Sequence, residues 1–247
     1  MMICIHQPDF LPWLGFFSKI IHSDVFVVGD HVQYRNKGFQ NRNQIKTPNG
    51  AQWLSVPIIH DWGQTINKVQ ILDREQNGIF WPNLHLRTLQ VNYGKAQYYD
   101  NYIGTFEKIY KRGHKLLADI NMEFLKAVFE ILGIDVQMKK TSEMNLTKSK
   151  TELIIEICQT LGADSYFSGL KGAEYMDKDL LEKNRIKIVY NYYDHPTYTQ
   201  QYPKLGFLSN LSIIDLIFNE GPKSPEIIKS GFREFQSNVA SPDGNAV

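Results

Sequence analysis

The apolar pattern at the N-terminus predicts a strand, a helix and a second strand. Residues 2–6 (MICIH) form a short apolar run that is typical of a buried strand. From Pro12 to Ser23 the apolar residues recur at helical spacing, and residues 24–30 (DVFVVGD) form a second apolar run. Because parallel sheets are built from strand–helix–strand units, this segment predicts the start of an α/β fold.

The rest of the chain continues this alternation, with two interruptions. Residues 42–58 (RNQIKTPNGAQWLSVPI) predict a β-hairpin around the Pro-Asn-Gly turn, and residues 66–73 predict a further strand of the main sheet. Residues 77–133 contain three segments with helical spacing, which predict an all-helical insertion. Between residues 135 and 221, strand and helix patterns alternate again.

Five or six predicted strands alternating with helices favour an α/β fold. We expect an open, mostly parallel sheet with helices on both faces, plus the β-hairpin and the helical insertion. Residues 2–235 would form a single α/β domain, with the insertion at about 77–133. The small polar residues of 236–247 predict a disordered tail.

Composition and charge narrow the class of protein. The net charge of +1 over 247 residues argues against nucleic acid as the main partner, because neutralising phosphates needs a basic surface. The two cysteines, Cys4 and Cys158, lie in apolar runs, and no Cys or His spacing predicts a metal site. We expect a cytoplasmic protein, because so few cysteines, both in apolar runs, are typical of a reducing compartment. The sequence also shows neither a membrane-spanning apolar stretch nor a secretory signal.

Polar side chains follow the ends of several predicted strands. His6 and Gln7 end the first strand, Asp30 follows the second, and Ser168 and His195 follow two later strands. In parallel sheets the carboxyl ends of the strands share one edge, and ligands bind there where the strand order reverses. We therefore expect a site at this edge. The alternative for His6 is a structural bond to backbone.

Other candidate ligand-binding residues lie near these strand ends. Trp13 follows a loop stiffened by two prolines, and Arg42 suits a two-pronged contact with phosphate or carboxylate. The backbone N–H groups near Ser168 and Gly169 suit an anion. Further polar candidates follow the second strand: Gln33, Tyr34, Asn41, Asn43 and Lys46. The alternatives are packing for Trp13 and a solvated loop for the segment around Arg42.

Several long segments resemble the WbqC-like family. They are HQPDFLPWLGFFSKI (6–20), DVFVVGDHVQYRNKGFQNRNQIKTPNGAQWLSVPI (24–58), SYFSGLKGAEYMD (165–177), DHPTY (194–198) and LSIIDLIFNEGP (211–222). This bacterial family is usually found among genes for O-antigen and other surface polysaccharides. The resemblance covers roughly residues 2–223, and it adds Lys19 and Tyr175 to the candidate substrate-binding residues.

The resemblance implies an enzyme that transfers an acyl or aminoacyl group, such as glycyl, to the amino group of a nucleotide-linked amino deoxysugar. Two alternatives stay open: an ATP-dependent ligase or nucleotidyl-transfer enzyme, and a non-catalytic module that binds nucleotide-sugars. The cofactor is also open, between an activated acyl donor and ATP with Mg²⁺. The sequence leaves the oligomeric state undetermined.

Amide formation needs a base with a pKa near the working pH, which histidine meets. We assign this role to His6, with His195 as the second choice and Asp30 as an orienting group. Arg42, Asn43 or the backbone at Gly169 would stabilise the negative charge of the tetrahedral intermediate. Trp13 and Tyr34 would stack on a sugar or a nucleobase.

Overall fold

A computed structural model describes residues 1–73, 75–76, 78–170, 172 and 176–235. The described strands are β1 (Met2–His6), β2 (Val25–Val28), β3 (Arg42–Thr47), β4 (Gly50–Ser55), β5 (Ile58–Ile59), β6 (Gln70–Ile71), β7 (Glu75–Gln76), β8 (Ile79–Phe80), β9 (Gln137–Lys140), β10 (Ser165–Gly169), β11 (Lys187–Tyr193) and β12 (Phe232–Phe235). The described α-helices are α1 (Leu14–Ile21), α2 (Trp81–Tyr93), α3 (Tyr99–Lys111), α4 (Leu117–Leu132), α5 (Lys150–Leu161), α6 (Lys178–Lys183), α7 (Ile213–Glu220) and α8 (Ser224–Ser230).

The main sheet has the strand order β12–β11–β10–β1–β2–β9. All pairings within it are parallel except β11 with β12, which is antiparallel. The chain runs outward from β1 to β2 and β9 and then returns to place β10 on the other side of β1. The predicted α/β fold with a mostly parallel sheet is therefore confirmed, and the strand order reverses between β1 and β10.

Helices cover both faces of this sheet. On one face, Cys4, Phe26 and Phe167 pack in a cluster with residues of α1, α4, α7 and α8. On the other face, Ile3 and Val27 pack with residues of α5 and α6. Since both faces are buried, β2 is apolar throughout and β1 is apolar up to His6, as is typical of parallel strands.

The predicted hairpin is confirmed, whereas the predicted strand at 66–73 is wrong. β3 and β4 pair antiparallel around a two-residue turn. Residues Ile66–Lys68 form a 3-10 helix, and β6 pairs only with β5, outside the main sheet. The apolar residues of this segment had suggested a strand. Ile66, Val69 and Ile71 are all buried, but their spacing of three and then two residues does not alternate as a strand requires.

Two further predictions have different outcomes. Helices α2 to α4 occupy most of the segment predicted as a helical insertion, although β7 and β8 pair as a short hairpin before them. The predicted tail at 236–247 lies outside the described residues. No helix in the described part of the chain combines the length and apolar character needed to cross a lipid bilayer.

A buried polar network joins the hairpin to α7. The fully buried carboxylate of Asp215 accepts hydrogen bonds from the hydroxyls of Tyr93 and Tyr198 and from the amide of Gln200, each at 2.8 Å. The ammonium of Lys46, also fully buried, donates to Gln200 Oε1 at 3.1 Å and to the Gly206 carbonyl at 2.6 Å. Lys46, predicted from sequence as a ligand-binding residue, thus donates to protein oxygens.

Replacing Asp215 should destabilise the fold strongly. In Asp215→Asn the new N–H₂ group faces at least one of the three donors, because Tyr93 donates to one carboxylate oxygen and Tyr198 and Gln200 donate to the other. The nearby Lys46 also loses its counter-charge. We expect the free energy of unfolding to fall by about 3–5 kcal/mol, because such changes leave a buried charge uncompensated. Urea unfolding measures this loss. Asp61→Asn, at an exposed loop position, is the matched control, and equal effects of the two changes would contradict the network's role.

Candidate functional site

The parallel register brings several of the predicted residues to one edge of the main sheet. His6 lies opposite Val28 at the end of β2, and Gly169 lies opposite Asn191 near the end of β11. β1 and β10 are neighbours, and the strand order reverses between them. The region outside their carboxyl ends is therefore the position at which open α/β folds bind ligands.

Buried polar side chains hold the loop that follows β1. Asn121 donates to the carbonyl of Pro8 at 2.8 Å. Asn43 and Ser212 donate to the carbonyl of Leu11 at 2.8 and 2.9 Å. Leu11 has a φ of 43°, in the left-handed region that non-glycine residues rarely adopt. Partners from three distant segments thus hold a strained loop in place, a feature common near functional sites.

His6 ends β1 at this edge of the sheet as a neutral imidazole. Its Nδ1 donates to the Gln7 carbonyl at 3.0 Å, which leaves Nε2 as the acceptor nitrogen. Its ring packs edge-on against Phe16, with 4.7 Å between ring centroids. Burial, together with the charge of Lys19, lowers the pKa of His6 to about 3. Among the described residues, Nε2 has no hydrogen-bond partner.

Asp9 adds an acid that the sequence reasoning missed. Its Oδ2 lies 3.7 Å from His6 Nδ1, and its side chain keeps only 12% of its surface exposed. Burial raises the pKa of Asp9 to about 7, against the opposing charge of Lys19. No described residue donates a hydrogen bond to this carboxylate. An acid three residues after His6, between two prolines, was the available sequence signal.

Lys19 of α1 is the third ionisable group of this site. Burial lowers its pKa, while Cys4 and Asp9 oppose the shift. Its charge in turn lowers the pKa values of both His6 and Asp9. The structure therefore brings His6 and Lys19, both predicted from sequence, together with Asp9.

Asp30 lies at the same edge, but its carboxylate is fully engaged. It accepts from the backbone N–H of Ser142 at 2.9 Å, from the Ser142 hydroxyl at 2.6 Å and from Thr141 Oγ1 at 3.1 Å. These partners follow β9 directly, so Asp30 fastens the end of β2 to the end of β9. Thr141 and Asp30 are both buried.

Trp13 and His195 meet across the edge of the sheet. Their rings stack at 16° with 6.1 Å between centroids, and Tyr193 packs edge-on against Trp13 at 5.5 Å. The indole also covers Gly15, where a Cβ would come within 2.2 Å of the ring. Gly15 is thus needed for the packing of Trp13. His195 donates from Nδ1 to the Pro196 carbonyl at 2.9 Å.

Several of the remaining candidates bond within their own loops. Tyr34 donates to Asn41 Oδ1 at 3.0 Å, and Asn41 donates to the Val56 carbonyl at 3.0 Å. Gln33 is exposed, and its backbone bridges to Thr65.

Other candidates occupy the ends of β1 and β10. Gln7 accepts a hydrogen bond from the Gln40 side chain. The buried Ser168 hydroxyl donates to the carbonyl of Gly169 at 3.0 Å. Tyr175, which was also predicted, lies outside the described residues.

Arg42 belongs to an exposed aromatic surface beside the anchored loop. Its guanidinium lies 4.4 Å over the ring of Trp53 and donates to the Lys37 carbonyl at 2.9 Å. Phe39 lies 6.0 Å from Trp53, and both rings are exposed. The Phe39 carbonyl accepts from the backbone N–H of Phe10 at 2.9 Å, which places this surface directly beside the loop that carries Asp9.

The raised pKa of Asp9 predicts a pH-dependent effect of its removal. The folded state keeps the Asp9 proton up to about pH 7, whereas the unfolded chain releases it near 3.8. Folding is therefore penalised increasingly across this window and fully above it. Asp9→Asn should raise the free energy of unfolding by up to about 4 kcal/mol near pH 8 and hardly change it near pH 4. Urea unfolding at both pH values tests this, and a pH-independent effect would contradict the raised pKa.

Comparisons with known proteins agree with the resemblance noted in the sequence. The family model described as the WbqC-like protein family matches residues 7–227. The chain is also 31% identical over 231 residues to the uncharacterized protein Rv1507c of Mycobacterium tuberculosis, covering 92% of this chain and 97% of that protein. No solved structure matches the chain. With a family match over most of its length, this chain belongs to the WbqC-like protein family.

Proposed function

We propose that this protein is an enzyme that transfers an acyl or aminoacyl group, such as glycyl, to the amino group of a nucleotide-linked amino deoxysugar. The observation that carries the proposal is the pair of Asp9 and His6, 3.7 Å apart, at the edge of the sheet where the strand order reverses. The motifs shared with the WbqC-like family support the sugar-modifying role.

Asp9 is the better base of the pair. The attacking amine must lose a proton, and a base with a pKa near the working pH does this best. The Asp9 carboxyl, with its pKa raised to about 7 by burial, fits that requirement. His6, with its pKa lowered to about 3, is a weak base, so its Nε2 accepts a hydrogen bond that orients the amine. We therefore propose Asp9 as the general base, in place of His6, to which the sequence analysis assigned that role.

Lys19 is the group best placed to stabilise the tetrahedral intermediate. Attack of the amine on the acyl carbonyl places negative charge on oxygen, and a preorganised cation in a poorly hydrated site lowers the energy of that state. Lys19 acts electrostatically on both His6 and Asp9. Asn43 is less suited, because its amide already holds the loop after β1.

The exposed surface formed by Phe39, Arg42 and Trp53 suits the nucleotide part of such a substrate. Aromatic faces stack with nucleobases, and an arginine over an aromatic ring adds positive charge for phosphates. The surface borders the loop that carries Asp9, through the backbone hydrogen bond between Phe10 and Phe39. One extended substrate could therefore contact both this aromatic surface and Asp9.

The reaction itself is the first test of the proposed function. The protein would be incubated with thymidine or uridine diphosphate-linked 4-amino-4,6-dideoxyhexoses, glycine, ATP and Mg²⁺, and in parallel with acyl-coenzyme A donors. We expect a product heavier by one acyl or glycyl group in mass spectrometry. Release of pyrophosphate would identify ATP as the activating reagent. Saturable binding without product in all reactions would contradict transfer and favour a binding module.

The base is identified by comparing two substitutions. Asp9→Asn keeps the shape of the side chain but cannot take a proton, so turnover should fall by about 10²–10⁴. His6→Gln retains a hydrogen-bond acceptor, so its loss should be smaller, on the order of tenfold. Steady-state kinetics on the product above measure both, with Asp61→Asn as control. A large loss in His6→Gln with near-normal Asp9→Asn would return the role of base to His6.

A further inference from the structure

Three neighbouring strands present a row of residues on one face of the sheet. Cys4, Phe167 and Val189 are in register across β1, β10 and β11, and all three belong to the core cluster packed against α1. Because side chains alternate along a strand, the residues two positions further on share that face. Continuing the register by two residues places His6, Gly169 and Asn191 side by side at the carboxyl edge.

Gly169 leaves an open slot in the middle of this row. Apart from Gly169 and its chain neighbours Ser168 and Leu170, no heavy atom of the described residues lies within 4 Å of the position that a Cβ on Gly169 would occupy. Neighbouring strands lie about 4.8 Å apart, so the backbones of His6 and Asn191 are roughly 10 Å apart across the glycine. That separation leaves room for one small polar group between the two side chains.

Asn191 borders the slot with an unpaired polar atom. The residue is only 7% exposed, and its Oδ1 is buried with no hydrogen-bond partner among the described residues. Tyr193, two residues further along the same face, likewise has a buried hydroxyl without a described partner. Buried polar atoms in native proteins are nearly always paired, so the unpaired Oδ1 of Asn191, on the strand next to the open slot, points to a partner supplied by a ligand.

We propose that this slot is the subsite for the acceptor amino group, with Asn191 Oδ1 accepting a hydrogen bond from the substrate nitrogen opposite His6 Nε2. This inference rests on the proposed function and deepens it by naming where the amine binds. Both bordering atoms are acceptors, so the slot favours a group that offers several N–H donors. A hydroxyl offers one donor and an ether oxygen none, which makes Asn191 a determinant of specificity for amino sugars.

Filling the slot is the first test. Gly169→Ala adds one methyl group in open space, and the backbone of Gly169 is outside the left-handed region, so the fold should tolerate the change. Gly104→Ala in α3 is the matched control, because its Cβ position is also open. In calorimetric titrations with the amino sugar nucleotides used above, we expect Gly169→Ala to lose affinity at least tenfold and Gly104→Ala to stay within about twofold.

Removing the acceptor is the second test. Asn191→Leu keeps the size of the side chain, so affinity for the amino sugar nucleotide should fall about 10- to 100-fold, and affinity for the corresponding 4-hydroxy compound should fall less. Asn191→Asp restores an acceptor and should recover the preference for the amine. Thermal unfolding confirms that each variant is folded.

The outcomes separate the two proposals. If the wild type binds the amino sugar nucleotides but Gly169→Ala and Asn191→Leu bind them equally well, the slot is not the amine subsite and the proposed function stands. If Asn191→Leu weakens the amino and hydroxy compounds equally, its role is structural and the inference fails. If the wild type neither binds nor modifies any of the compounds, the proposed function fails and the inference fails with it.

Discussion

The parallel pairing of β1 with β2 and β10 is the constraint on which the candidate site depends. Parallel strands end at the same edge, so the segments that follow them must meet there whatever their separation in sequence. Here that edge brings His6, at the end of β1, beside Gly169 of β10, which is 163 positions further along the chain (169 − 6), and Asn191 lies next to Gly169 on β11. Burial on both faces explains why β1 and β2 are nearly pure apolar runs.

The chemistry of the site follows from poor hydration. Burial leaves His6, Asp9 and Lys19 poorly hydrated, so the pKa of each is shifted in the direction that favours the neutral form. A charged Lys19 limits that shift for Asp9, which consequently titrates near pH 7. Such a group destabilises the folded state increasingly as the pH rises from 3.8 to about 7, and fully above it. Proteins tolerate such a loss of stability where it serves function. The bonds from Asn43 and Asn121 to the loop stabilise the conformation that imposes this cost.

The sequence was sufficient to predict the architecture and the edge of the sheet at which the candidate site lies, because both depend on apolar periodicity and strand order. It predicted the β1–α1–β2 unit and the β3–β4 hairpin correctly. It failed at 66–73, where tertiary contacts bury Ile66 and Val69 without strand pairing in the main sheet. It also missed α8 and β12, since short elements carry too few residues to show a period.

The roles of individual polar residues could not be predicted, because they depend on partners that are distant in sequence. Asp9, Asp30 and Asp215 are all buried acids. Donors surround two of them: Asp30 accepts from Ser142 and Thr141, and Asp215 accepts from two tyrosines and a glutamine. Only Asp9 lacks such donors among the described residues. Burial alone therefore does not identify a reactive carboxylate. A carboxylate that is buried and receives no hydrogen bonds is the better candidate, because its lone pairs are free to take a proton from a substrate.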